Sequence, residues 1–139
     1  MLKVKIAGTG AFLPERCLTN DDLAQLVETS DEWIRTRTGI RKRHLLPEGQ
    51  PPAEMGIAAA RAALAAAGID HPQVDLLIAA TNVPEQPIPG TAPHIALGLE
   101  LSGEPAFLDI KAGCAGFVYG LALASGCLAT GMFQNALVV

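Results

Sequence analysis

An α/β fold, with a mixed and mostly parallel sheet and helices packed on both faces, is what this sequence predicts. Three observations carry that expectation. Segments of strand character alternate with helical ones along the 139 residues, which calls for parallel pairing through right-handed crossovers. The run Asp75 to Thr81 (DLLIAAT) is continuously apolar between its ends, as a strand covered on both faces must be. From Ala112 to Val139 there is no Asp, Glu, Lys or Arg. Within that tail, Cys114 to Thr130 is apolar on nearly every side, so the expectation is a helix buried all round.

Taken in order, Lys3 to Ala7 alternates lysine with Val4 and Ile6, the period of a half-buried strand. Gly8-Thr9-Gly10 could open a dinucleotide loop. However, Leu13 stands where the third glycine should be, and Pro14 follows where a helix should continue. A plain strand-end turn is expected there instead. Thr19 to Asp22 signals a helix start, with Leu23, Leu26 and Val27 at helical spacing. Thr29-Ser30-Asp31-Glu32 fits a capping box with Thr29 as cap, opening a short helix that carries Trp33 and Ile34 and ends near Gly39. Pro47 to Pro52 reads as a loop. Glu54 to Ala67 is alanine-rich and stops at Gly68, the expected C-terminal glycine. A proline-marked loop follows the Asp75 strand, then a helix over Thr91 to Leu101 and a strand over Ala106 to Ile110. The chain closes with the Cys114 helix and a strand from Ala136 to Val139.

Composition narrows the function classes. Half the residues are hydrophobic and 17% are charged, which argues for one folded domain over residues 1–139 and against disorder. A net charge of −4 gives no reason to expect a nucleic-acid partner. Three cysteines (Cys17, Cys114, Cys127) form no framework, so free thiols and a cytoplasmic setting are expected, and no secretory signal is read at the N-terminus. The uncharged tail, with Gly116-x-x-x-Gly120, raises a membrane span as an alternative. Gly131 breaks the run, so a buried helix is expected and no membrane span.

Two stretches carry chemistry. Cys114 stands at the opening of its helix, where unpaired N–H groups and the positive dipole end favour an anion, here the nucleophilic thiolate. It also follows a strand, and ligands on parallel sheets collect at the carboxyl ends of strands. Arg35, Arg37, Arg41, Lys42 and Arg43 make up half of the ten basic residues. Such an island is commonly a solvated face, but arginines also hold phosphates. Arg37 lies four residues after Trp33, on the same helical face, where the pair could clamp a flat base beside a phosphate. No metal site is read.

The block Thr29-Ser30-Asp31-Glu32-Trp33-Ile34-Arg35-Thr36-Arg37-Thr38-Gly39-Ile40-Arg41 resembles the TSDEWI-x-x-RTGI signature of the β-ketoacyl-acyl carrier protein synthase III family. Asp109 to Phe117 is similar to that family's nucleophile motif, and Gly8 to Pro14 and Thr19-Asn20 also fit. The resemblance covers the whole chain but only the N-terminal half of a family member. It implies a thiolase-like half-domain of a condensing enzyme that begins fatty-acid synthesis. Cys114 would take the acyl group from acyl-coenzyme A and pass it to malonyl-acyl carrier protein. Trp33 would stack on the coenzyme A adenine with Thr29 and Arg37 nearby, and Ile88 would shape the primer pocket across a homodimer interface. No tightly bound cofactor is implied; acyl-coenzyme A is a substrate.

Lys111 and Gly113 depart from the small alanines of many initiating synthases, as Thr91 to His94 departs from the usual helix opening. Those departures keep open a second reading, an acyltransferase or condensing enzyme of secondary metabolism. The resemblance also puts the catalytic histidine and asparagine in a C-terminal half beyond Val139. His44, His71 and His94 do not match that histidine, which leaves an inactive fragment as the third reading.

Overall fold

The computed structural model describes residues 2–139. The chain divides into two compact units, Leu13–Gln50 and a larger one comprising Pro51–Val139 with the described part of Met1–Phe12.

In the smaller unit, β1 (Cys17–Thr19) pairs antiparallel with β2 (Lys42–His44), setting Cys17 opposite His44. Helix α1 (Asn20–Ala24) opens on a reciprocal cap: the Thr19 hydroxyl accepts from the Asp22 N–H at 3.1 Å, and the Asp22 carboxylate accepts from the Thr19 N–H at 2.9 Å. The Thr19 hydroxyl also donates to Asp22, and these Thr19 bonds hold the Asp22 carboxyl below its ordinary pKa. Leu26 and Val27, expected within the helix, lie beyond it and are exposed. Buried Asn20 joins the unit together. Its Nδ2 donates to Asp31 Oδ1 and to the Ile40 carbonyl, both at 2.8 Å, while its Oδ1 accepts from Arg43 at 2.7 Å.

Helix α2 (Asp31–Thr38) ends at Gly39 in the left-handed region, φ +75°, as its glycine predicted. Its N-cap, however, is Ser30 and not Thr29: the Ser30 oxygen accepts from the Trp33 N–H at 3.1 Å. Two cap-competent residues stand side by side here, and the extended backbone at Ser30 starts the helix one residue later. That shift puts Trp33 at the position where a box needs Glu or Gln, so no reciprocal bond forms.

The larger unit carries a parallel sheet with β3 (Leu76–Ala80) between β4 (Ala106–Ile110) and β5 (Ala136–Val138). Alternation along β3 feeds two apolar layers. Leu77 and Ala79 pack with α3 (Ala53–Ala67) and α4 (Thr91–Gly98) through Ala60, Leu64, Ile95 and Leu99. Leu76 and Ile78 pack with α5 (Gly116–Ala129) through Ala124, with Ile110 and Val138 beside them. Helices therefore cover both faces, as expected. Leu77, Ile78, Ile95 and Leu99 are fully buried, each contributing about 1.5–3 kcal/mol of transfer free energy.

Asp109 on β4 determines how α4 begins. Its Oδ1 accepts from the Thr91 and Ala92 N–H groups at 2.7 and 2.9 Å, and Pro93 has no N–H to satisfy. The first three positions of the helix are thereby accounted for, and Pro93 fits as a helix opener.

Two further expectations fail. Lys3 to Ala7 is not a strand. Periodicity reports which side chains suit a sheet, but a ladder needs a partner: among the described residues this segment makes no backbone bond, and only its neighbour Leu2 does, donating its N–H to the Ala129 carbonyl at 2.9 Å. Its glycines serve for close packing: a side chain on Gly8 or Gly10 would run into the α3 backbone at Ala63, Ala67 and Ala59. Nor is α5 buried all round. Gly116, Gly120 and Ala124, spaced by four, seat it on the sheet and are buried, while Phe117, Val118, Tyr119 and Leu123 are 42–62% exposed. One layer of sheet can cover only one stripe of a helix.

Candidate active site

Cys114 lies in a short 3₁₀ turn, Gly113–Ala115, between the carboxyl end of β4 and the first residue of α5. The α-helix thus begins two residues later than the sequence suggested, and the cysteine sits just before it. The turn depends on Gly113, whose φ of +56° is costly for any residue with a Cβ. Its N–H donates to Asn82 Oδ1 at 3.3 Å, tying the cysteine turn to the segment that leaves β3. Asn82 was not singled out in the sequence. The available signal was a polar side chain just past the carboxyl end of a central strand, where parallel sheets build their sites.

The thiol is exposed and free. Among the described residues the Cys114 N–H has no backbone partner, whereas the Ala115 and Gly116 N–H groups bond back to Ala112 and Gly113. An amide without a partner beside a nucleophilic sulfur can receive a developing oxyanion. A groove of about 360 Å³ does exist in this unit, lined by residues 6–10, α3, β5, Phe117 and Leu121, but Cys114 is not part of it. The thiol faces open space, and a Cys114–His94 pair is not formed. His94 Nε2 is buried without a hydrogen-bond partner.

The smaller unit brings together two of the predicted binding residues. The Arg37 guanidinium lies 4.6 Å from the centre of the Trp33 ring, one helical turn away on α2. The ring remains 53% exposed. Thr29 is half-buried just before the Ser30 cap, and makes no side-chain bond among the described residues. Ile88, 88% exposed, stands in the loop between β3 and α4. Glu85 of that loop accepts from the Ala53 N–H at the start of α3 and from the Thr91 hydroxyl at 2.9 Å. Burial pushes the Glu85 carboxyl up, but its own backbone, Thr91, Ala53 and the charge on His94 together hold it below its ordinary value. No group of three or more metal-ligating side chains is found among the described residues, and no described helix is long and apolar enough to cross a membrane.

The architecture is shared with solved condensing-enzyme structures. A 3-oxoacyl-[acyl-carrier-protein] synthase III from Aquifex aeolicus superposes with a TM-score of 0.87 at 42% identity, over 96% of this chain and 43% of that one. A priming β-ketosynthase of the R1128 polyketide pathway also gives 0.87, at 31% identity over 99% and 42%. The class defined by fold and site is therefore the thiolase-like α/β proteins.

Within that class, the sequence profile of 3-oxoacyl-[acyl-carrier-protein (ACP)] synthase III matches residues 108–139. The β-ketoacyl-[acyl-carrier-protein] synthase III of Rhodospirillum centenum is 47% identical over 99% of this chain and 42% of its own length. That of Neisseria meningitidis (strain FAM18) is 47% identical over 100% and 43%. The chain is similar over nearly its whole length to β-ketoacyl-[acyl-carrier-protein] synthase III sequences, and it spans about two fifths of the length of the relatives it matches.

Proposed function

We propose that this chain carries the nucleophile of a condensing acyltransferase. The observation that carries the reading is the free Cys114 thiol on the turn after β4, beside its own unpartnered N–H. The thiolate attacks the carbonyl carbon of an acyl-coenzyme A thioester, a carbon–sulfur bond forms, and the carbonyl oxygen gains charge opposite the Cys114 N–H. Collapse expels the coenzyme A thiolate and leaves the acyl group on Cys114. Trp33 and Arg37 receive the nucleotide end of coenzyme A, a flat base on the open ring face and a phosphate at the guanidinium, with Thr29 beside them. Malonyl-acyl carrier protein then supplies the attacking carbanion as carbon dioxide leaves.

That second step belongs to the whole protein, which we take to be a cytoplasmic homodimer with Ile88 shaping the acyl pocket at its interface. The bare surface of Ile88 supports this placement. The remaining length of the relatives would also cover the exposed apolar side of α5 and supply the catalytic histidine and asparagine.

Incubating the 139-residue chain with radiolabelled acetyl-coenzyme A tests the first half-reaction. The expected result is a thioester label at Cys114 that is absent in Cys114→Ala. Label persisting in that variant would remove the nucleophile assignment. A second reading, a priming enzyme of secondary metabolism, is favoured by the likeness to the R1128 ketosynthase and by Lys111 and Gly113. Product masses from malonyl-acyl carrier protein with different acyl-coenzymes A separate the two.

A further inference from the structure

Among the described residues, Asn82 is the one side chain hydrogen-bonded to the Gly113–Ala115 turn. The peptide unit between Ala112 and Gly113 is held at both ends. Its carbonyl accepts from the Ala115 N–H at 3.3 Å, a bond the turn supplies itself. Its N–H donates to Asn82 Oδ1 at 3.3 Å, a bond that anchors the unit to the end of β3. The next peptide unit carries the Cys114 N–H, and Gly113 is the hinge between the two. Space does not demand glycine at the hinge, since a Cβ there would meet no atom closer than Asn82 Nδ2 at 4.0 Å. The backbone demands it, with φ at +56°. Glycine takes positive and negative φ about equally readily, so the residue by itself does not hold that angle. Asn82 is placed in turn by its own segment. The Thr81 hydroxyl accepts from the Val83 N–H at 3.1 Å as the chain leaves β3, and Glu85 pins the same loop to Ala53 and Thr91.

We propose that Asn82 is a positioning residue for acyl transfer: by taking the Gly113 N–H it fixes the hinge that aims the Cys114 N–H at the developing oxyanion. The inference rests on the reading of Cys114 as the residue that accepts the acyl group. Asn82 acts through the backbone and touches neither the sulfur nor the thioester. Without it the thiol keeps its nucleophilic character and the amide loses its fixed direction. Two reactions of the same sulfur separate these effects. Attack on a thioester places charge on the carbonyl oxygen, which an oriented amide stabilises. Alkylation by iodoacetamide displaces iodide at a saturated carbon, so no oxyanion forms and the direction of the amide is idle.

The test uses the 139-residue chain and its Asn82→Ala variant, with modification at Cys114 read by peptide mass spectrometry. Asn82 is exposed, so the variant should match the parent by circular dichroism. At saturating acetyl-coenzyme A it should be acylated about tenfold to a hundredfold more slowly, the scale on which misplacing a catalytic group acts. The concentration giving half the maximal rate should move by less than about twofold, because the lost interaction belongs to the transition state. Alkylation of Cys114 by iodoacetamide should also stay within about twofold of the parent, since it makes no oxyanion. A parent that takes no acetyl group overturns the acyl-transfer reading and this inference with it. A parent and variant acylated at equal rates overturn this inference alone. So does a variant slowed equally in both reactions, which would place the effect on the thiol itself and not on the amide.

Discussion

Asp109 offers the sharpest test of how the larger unit is held together. One oxygen, Oδ1, takes both of the first two amides of α4, from Thr91 and Ala92. Asp109→Ala leaves both amides unpaired at a helix start and withdraws a negative charge from the positive end of the dipole. Losing an N-cap acceptor costs about 0.5–2 kcal/mol, and hydrogen bonds to a charged group are worth about 1.5–3 kcal/mol each in net terms. These figures overlap, so a loss of about 3 kcal/mol is expected. Asp109→Asn places a neutral carbonyl where Oδ1 was and can keep both bonds, so it forfeits mainly the charge, about 1 kcal/mol. Urea unfolding followed by far-ultraviolet circular dichroism reads the difference. With a slope of about 1–3 kcal/mol per molar, alanine should lower the midpoint by about 1–3 M and asparagine by about a third as much. Equal losses for the two variants, or no loss for alanine, would refute the capping argument.

Two other outcomes follow from the same reasoning. Glu85 has a depressed folded-state pKa, so its contribution is fully present above the unfolded value of 4.5 and is lost as pH falls through the folded value; the stability gap between the parent and Glu85→Gln should close in acid, and a gap unchanged from pH 7 to pH 3 would show that the charge is idle. Trp33 is the only tryptophan, so on the proposed function its fluorescence should report on coenzyme A: titration should quench it, and Trp33→Ala should weaken binding by about tenfold or more, as loss of a base stack does, whereas equal affinity by calorimetry would dismiss the stacking role.

Local signals were legible where the physics is local. Gly39 and Gly68 stop their helices in the left-handed conformation because an interior L-residue would be strained there. Trp33 and Arg37 meet because four residues make about one turn. What stayed hidden depends on groups distant in the chain. Asn82 and Gly113 are 31 residues apart, and no window of sequence shows that a strand-end amide will hold the cysteine turn. The Lys3 to Ala7 alternation was read correctly as a pattern, yet a strand is a property of two segments, and the second is not among the described residues. Thr29 lost the cap to Ser30 by one residue, a shift well inside the resolution of capping motifs.

The same division between local and distant causes explains α5. Its small residues, Gly116, Gly120 and Ala124, recur every four positions and let the helix sit close over Ile78 and Val138. A methyl on Gly120 would come within 2.9 Å of the Val138 side chain. This stripe is satisfied by the sheet alone. The opposite stripe, Phe117, Val118, Tyr119 and Leu123, has the composition of a core and the exposure of a surface, a combination that marks an interaction face. Cys114 lies at the foot of that helix, so the thiol's access and the covering of the apolar stripe are linked. Whatever buries Phe117 and Val118 also determines how much water reaches the sulfur. An exposed thiol can be acylated, but its thioester is then open to hydrolysis, and holding it for a carbanion requires that water be kept out. On the proposed function, the Cys114 thiol and its N–H serve the first chemical step, and the exclusion of water that the second step needs depends on what packs against α5.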